Sequence, residues 1–270
     1  MHSKNSLIFL SLVAAALTAP GAAQAQGFAL HVSPPRFELK TKPGEKLREA
    51  IQVTNPSFVL GRYAAHTADW TLSELGTLQF SEGDPAAGSC RPWVRIERRQ
   101  FTVPANATRA YRFEVLVPDS APAGECRFAL MLGSDPAAEQ GVRIGQASFP
   151  VGGQIGVIVY VAVGGAQPKL VFKGLRKETV DSAVLPVAVI ENTGNAHGRP
   201  EGVLRATDAS GREFEMTVSE IPILAGQTRS VPINLVNADG KTAGKFTFPL
   251  KLKGTIEWDG GKQDIDETVR

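Results

Sequence analysis

From Gln154 to Val163 the chain reads Gln-Ile-Gly-Val-Ile-Val-Tyr-Val-Ala-Val, closed by Gly164-Gly165. Ile155, Val157, Val159 and Val161 fall on one side at period two, and Gly156, Ile158, Tyr160 and Ala162 fall on the other. The pattern predicts a β-strand that is apolar on both faces. Such a strand is either buried inside a sandwich or keeps one face for another chain to cover. At roughly 1.5–3 kcal/mol per large aliphatic side chain buried, four in a row are too much apolar surface to leave wet.

The rest of the chain alternates more plainly. Phe28 to Leu39 reads as a first strand interrupted by Pro34-Pro35, which belongs at a strand edge or at a switch between sheets. Lys42-Pro43-Gly44-Glu45 is a turn, and Leu47 to Thr54 a strand stopped by Asn55-Pro56. Tyr63 to Leu72 supplies a third strand, and Ser81 to Arg91 is loop by composition. Trp93 to Val103 and Ala110 to Val117 read as a hairpin-like pair, followed by Cys126 to Leu132. The Pro and two Gly of the stretch from Ala147 to Gly153 suggest a bulge or bend ahead of the long strand.

After the short linker Gly164 to Pro168 a second pattern begins, with alternating runs at Val184 to Ile190, Gly202 to Asp208, Phe214 to Val218, Ser230 to Val236, Lys245 to Lys253 and Gly254 to Trp258. A shift of 120 positions sets Thr108-Arg109 on Thr228-Arg229, Asp119 on Asp239, Ala123-Gly124 on Ala243-Gly244, and Phe128, Leu130 and Leu132 on Phe248, Leu250 and Leu252. At a larger offset, Gln52-Val53-Thr54-Asn55 matches Val189-Ile190-Glu191-Asn192. No segment shows a capped amphipathic helical period. The expected class is therefore all-β, with two tandem immunoglobulin-like β-sandwich domains over 26–165 and 166–270.

Residues 1–25 fit a secretory signal peptide. Lys4 precedes an apolar run from Leu7 to Leu17, and Ala23-Gln24-Ala25 fits a cleavage site before Gln26. The run is too short to span a bilayer as a helix, and no later segment approaches a spanning length. Export to the periplasm follows as the expectation, and an oxidising compartment makes a Cys90–Cys126 disulfide the natural pairing of the two cysteines. The proposed strand order brings both to one end of the sandwich, and the closed loop is worth about 4 kcal/mol. The 29 basic and 27 acidic residues leave a formal net charge of +2 with no basic tail, which points away from nucleic acid. The local exception is Arg95, Arg98 and Arg99, which alternation places mostly on a solvated face.

Chemistry is sparse. There is no G-x-S-x-G elbow, no H-x-x-x-H or C-x-x-C spacing and no phosphate loop, so no catalytic residue, metal site or cofactor is expected. His31, His66 and His197 read as turn or surface residues, and Glu82 with Asp84 and Asp264 with Asp266 as solvated loop or tail carboxylates. Catalysis would need folding to bring His66 or His197 against a carboxylate in a pocket.

Four stretches carry a resemblance: Ser33-Pro34-Pro35-Arg36-Phe37-Glu38-Leu39, Ile51-Gln52-Val53-Thr54-Asn55, Trp93 to Val103 followed by Ala110 to Val117, and Gly156 to Tyr160. In pattern they resemble the periplasmic pilus-assembly chaperones of the PapD-like family. The resemblance implies a chaperone that binds secreted, pilin-like subunits by β-strand addition, with an outer-membrane usher as a further partner. It implies client-binding roles for Arg36, Ile155, Val157, Val159 and Val161, Arg36 matching the first of a basic pair that holds a client carboxylate. The second basic residue has no match, since Gly156 and Val157 stand where a lysine is expected. The alternative reading is a non-catalytic envelope protein of immunoglobulin-like modules, because Val189 to Asn195 and Ile223 to Arg229 are similar to such modules.

Overall fold

In a computed structural model the chain is described for residues 29–73, 76–135, 142–144, 147–149, 152–235 and 245–270. The signal segment, the Pro150-Val151 dipeptide, and the matches at Asp239 and Ala243-Gly244 lie outside the described residues. The regular structure of the described residues is strand apart from one 3₁₀ turn, and none of their helices is long and apolar enough to cross a membrane.

The first unit is a sandwich of two sheets. One orders β1 (His31–Ser33), β3 (Lys46–Asn55), β8 (Ala107–Leu116) and β6 (Val94–Ile96) as β1-β3-β8-β6. The other orders β2 (Arg36–Thr41), β12 (Gln154–Val163), β9 (Gly124–Ser134), β4 (Gly61–Leu72) and β5 (Leu78–Ser81) as β2-β12-β9-β4-β5, with β7 (Gln100–Val103) also on β4. Two short strands, β10 (Val142–Ile144) and β11 (Ala147–Phe149), pair with each other between β9 and β12. Pro34-Pro35 is a switch between sheets, since β1 pairs with β3 and β2 with β12. Proline's missing N–H and fixed φ suit such a crossing.

The expected strand from Trp93 to Val103 is broken in three. Arg91–Trp93 forms a 3₁₀ turn, β6 joins β8, and β7 crosses to β4, so β7 and β8 do not form a hairpin. The crossing is tied down where the Tyr111 hydroxyl donates to the Arg98 carbonyl at 2.5 Å. Arg95, Arg98 and Arg99 are exposed. Leu78 to Ser81 forms a strand that alternation in so short a run did not reveal. Cys90 and Cys126 are joined, with a Cα–Cα distance of 5.4 Å.

The second unit is a curled sheet closing into a sandwich, in the order β13 (Leu170–Val180), β14 (Ala183–Asn192), β17 (Thr228–Leu235), β16 (Glu213–Val218), β15 (Val203–Thr207), β18 (Leu250–Trp258) and β19 (Gly261–Val269). β13 lies against β19. The two runs expected around Lys245 to Trp258 are one strand, β18, starting at Leu250. Asp264 and Asp266 sit on β19 rather than in a tail: only Ile265 and Val269 of that strand are buried, so its polar majority hides the period.

The duplication has a structural counterpart in Asn55 and Asn192. Each is fully buried at the end of a corresponding strand, and each side-chain amide donates to backbone carbonyls across the sandwich: Asn55 to Val103 and Pro104 at 3.1 Å, Asn192 to Ala196 and Ile223 at 2.8 Å. Gly164 and Gly165, at φ +65° and +78°, make the turn between units in a region that other residues enter at a cost. A small apolar cluster joins the units, Leu224 of the second packing with Ala68, Trp70, Ala129, Met131, Ile158 and Tyr160 of the first.

Candidate functional site

β12 pairs antiparallel with β9 along its whole length, but β2 joins its other side only from Ile158, opposite Arg36. Main-chain polarity alternates along a strand. Ile158 N–H donates outward to Pro35 O at 3.1 Å, while Gly153 O accepts inward from Ser134 N–H at 3.1 Å. Gln154 and Gly156 therefore aim their N–H and C=O outward, where among the described residues no strand pairs with them. The four residues Gln154 to Val157 offer an edge of about 13 Å at ~3.3 Å per residue.

The side chains correct the expectation drawn from the apolar row. Val157, Val159 and Val161 are fully buried in the first core with Phe113, Phe128 and Leu130. Ile155 packs against that core half-buried. The sheet turns its odd-numbered face toward its partner sheet, so of the five residues assigned to a client, Val157, Val159 and Val161 form a core wall instead. On the opposite face Ile158 and Tyr160 enter the inter-unit cluster, and Gly156 lies under Phe80, whose ring atom would stand 2.6 Å from an added Cβ.

Beside this strand the two units enclose a cleft of about 330 Å³ lined by Arg36, Glu38, Glu125, Tyr160, His197 and Arg199 among others. β2 brings Arg36 and Glu38 to the same face by alternation, and Arg36 Nε meets Glu38 Oε1 at 2.8 Å. From the second unit Arg199 Nε approaches the same oxygen at 3.4 Å, and its Nη2 donates to the Tyr160 hydroxyl at 3.1 Å. The His197 ring stacks on Tyr160 with centroids 3.8 Å apart. Its Nδ1 contacts Glu125 Oε2 at 2.6 Å, and its backbone N–H donates to Glu125 Oε1 at 3.2 Å. Nε2 of the same ring lies 3.6 Å from Glu38 Oε1.

Burial pushes the Glu38 carboxyl up, but the pull of His197, Arg36 and Arg199 together outweighs it and holds the group below its usual range. Burial dominates at Tyr160 and pushes the phenol up to about 12, so it stays protonated. Arg36 is half-exposed and already engaged by an internal carboxylate. Lys40 and the two arginines share the lining with Glu38, Glu125, Glu201, Glu220 and Asp259, so the cleft carries no excess of positive charge.

His197 thus meets a carboxylate in a pocket, as His66 meets Glu82 at 2.9 Å on the exposed surface. Among the described residues, the cleft lining contains no Ser, Thr or Cys beside His197. The histidine is held on three sides, by Glu125, Tyr160 and Glu38. Sequence reasoning placed it in a turn and missed Glu38, Glu125, Tyr160 and Arg199 as a group. The available signal was Tyr160, a phenol on the apolar even face of β12, which needs a polar partner when buried.

No family model matches the sequence and no curated protein matches it. Among solved structures the chain is similar to the E. coli chaperone DraB, at 12% identity over 91% of this chain and 98% of that one, with a TM-score of 0.49. It is similar to the YadV chaperone at 10% identity over 88% and 98%, TM-score 0.47. It is also similar to a chain of the CsuC-CsuE chaperone-tip adhesion subunit pre-assembly complex from the chaperone-usher Csu pili of Acinetobacter baumannii, at 12% identity over 89% and 98%, TM-score 0.45.

Proposed function

We propose that this protein is a periplasmic chaperone-like binder of secreted, pilin-like subunits that works by β-strand addition at the start of β12. The observation that carries the reading is the outer edge from Gln154 to Val157, whose outward N–H and C=O groups find no strand among the described residues while the same edge beyond Ile158 is closed by β2. An extended client segment would continue the line of β2, gaining main-chain hydrogen bonds at Gln154 and Gly156 and side-chain contact with Ile155. Arg36, where β2 begins, stands at the end of that line. Its guanidinium reaches a client carboxylate only by exchanging Glu38 for it, which makes the anchor weaker than a free basic pair.

The test uses Gln154→Pro. Proline removes one outward N–H, is tolerated at a strand start, and leaves the β9 ladder intact. Tagged native protein and the variant are used to capture subunits from the parent cell's envelope, and amide exchange is followed in the native complex. Capture of an immunoglobulin-like subunit lacking one strand, with protection of the Gln154 and Gly156 amides, is expected from the native protein alone. Equal capture by the variant, or unprotected amides in the complex, rejects strand addition.

A second reading, a non-catalytic envelope module, is favoured by one observation: Val157, Val159 and Val161 are consumed by the protein's own core. Under it the native protein captures no subunit.

A further inference from the structure

The connection between β3 and β4 carries three consecutive apolar side chains into solvent: Phe58 is 87% exposed, Val59 44% and Leu60 53%. Single exposed apolar residues are ordinary, but a contiguous run presented outward marks a contact surface. The loop is held firmly from beneath. The buried Asn55 amide donates to Val59 O at 2.8 Å, Asn55 Oδ1 accepts from the Ser57 N–H at 3.0 Å, and the Asn106 N–H donates to Ser57 O at 3.0 Å. It stands at the end of the first sandwich remote from the linker, because β4 leaves it at Gly61 beside the end of β9 and the start of β12, while Val163 leads into the linker at the other end.

Arginines surround its foot. Arg62 lies opposite Thr102 in the β4–β7 pair, and Arg109 Nη1 donates to the Thr102 carbonyl at 3.4 Å. Arg98 and Arg99 are exposed just ahead of β7, whereas Arg95 and Arg112 lie on the other sheet, Arg95 opposite Glu114 and farther from the loop. From Arg91 to Arg112 the chain carries six arginines and a single acidic residue, Glu97. That carboxylate faces Arg98, Arg109 and Arg112 together, at 3.4, 3.2 and 3.9 Å, and among the described residues Asp135 also lies beside Arg62, its N–H donating to the Arg62 carbonyl at 3.1 Å.

We propose that this tip docks on an anionic phospholipid surface, with Phe58 and Leu60 entering the boundary between headgroups and acyl chains and the arginines meeting lipid phosphates. The combination of a convex apolar loop and a basic collar is complementary to such a surface. A protein partner fits less well, since a stable protein interface covers on the order of 800 Å² per partner, more than three side chains provide. The inference is independent of strand addition at β12.

The full mature chain is co-sedimented with vesicles of phosphatidylcholine alone and of phosphatidylcholine with an equal part of phosphatidylglycerol. Binding to the anionic vesicles only is expected, weakening as salt rises. The double variant Phe58→Ser/Leu60→Ser should retain the native melting temperature and lose about tenfold or more in binding. Arg62→Glu/Arg99→Glu should bind more weakly with the loop intact, and Phe58→Trp should show a blue-shifted emission on the same vesicles. Equal binding by the serine variant reduces the effect to charge adsorption and overturns the proposal. So does an unshifted tryptophan, or a native protein that ignores both vesicles while its loop becomes protected in a protein complex.

Discussion

The Nδ1–H of His197 donates to Oε2 of Glu125 across 2.6 Å, and this contact, over 72 residues of sequence, bolts the second sandwich to the first. Both side chains are nearly buried, at 8% and 5% exposure, and the ring lies flat on Tyr160. Replacing Glu125 by Ala leaves an imidazole N–H and the His197 backbone N–H without their acceptor. The expected cost is about 2 kcal/mol, felt at the junction rather than in either core. Small-angle scattering should show a broader spread of inter-unit separations in Glu125→Ala, and unchanged scattering would remove the contact from the junction's stability.

The Cys90–Cys126 bridge spans 36 positions. Closing a loop of that length removes about 4 kcal/mol of unfolded-chain entropy on the loop-closure treatment. Cys90→Ser/Cys126→Ser should lower the urea midpoint of the first unit by a corresponding amount and leave the transition of the second unit where it was. A midpoint within error of the native protein would show that the bridge contributes nothing net.

Much of this arrangement is legible in the sequence because it rests on local alternation. The two-faced pattern of Ile155 to Val163 located β12, Pro34-Pro35 located the sheet switch, and the match of Asn55 with Asn192 located the repeat. What was not legible depends on which way a sheet turns and on what the second unit brings to it. Period two says that Val157, Val159 and Val161 share a face, not that the face is the core. Nothing in Asn195-Ala196-His197-Gly198-Arg199 says that the His197 and Arg199 side chains meet Glu125 and Glu38 from the other unit. β19 escaped notice because polar residues fill most of its positions, including the exposed ones.

The burial of Val157 and Val159 gives the strand a sharp mutational signature. An aspartate at Val157 places an ionisable group in a core with no partner for it, and such groups are expensive to bury unpaired. Val157→Asp should abolish cooperative folding of the first unit, read as loss of its near-UV dichroism. Ile155→Asp, on a half-buried residue, should leave the fold intact. A folded, cooperative Val157→Asp protein would mean that the face opens to solvent.

Asn55 and Asn192 do the same work in different units, so the same substitution should cost the same. Asn55→Ala removes the donor to three carbonyls, those of Val59, Val103 and Pro104, and Asn192→Ala removes the donor to two. Each is expected to destabilise its own unit by about 3 kcal/mol, with the other unit's transition unmoved. Loss at Asn55 should also loosen the Phe58 loop, seen as faster exchange of the Val59 and Leu60 amides. Two substitutions with effects differing by more than twofold would break the equivalence.

Glu38 sets the acid limit of the junction. Its folded-state carboxyl is held below the ordinary value of about 4.3 by His197, Arg36 and Arg199 acting against burial. A carboxyl depressed on folding contributes stability that is fully present above its unfolded value and is lost as pH falls through the folded value. The contact of Arg199 with Glu38 should therefore persist at neutral pH and fade as pH falls below the ordinary carboxylate range and through the lowered folded value. In Glu38→Gln the charge is absent at every pH. The melting temperature of the native protein should exceed that of Glu38→Gln above pH 5 and converge on it in stronger acid, a difference of pH profiles to which other acid-labile groups, common to both proteins, do not contribute. Parallel profiles down to the lowest pH at which both fold would show that the Glu38 charge adds no stability to the junction.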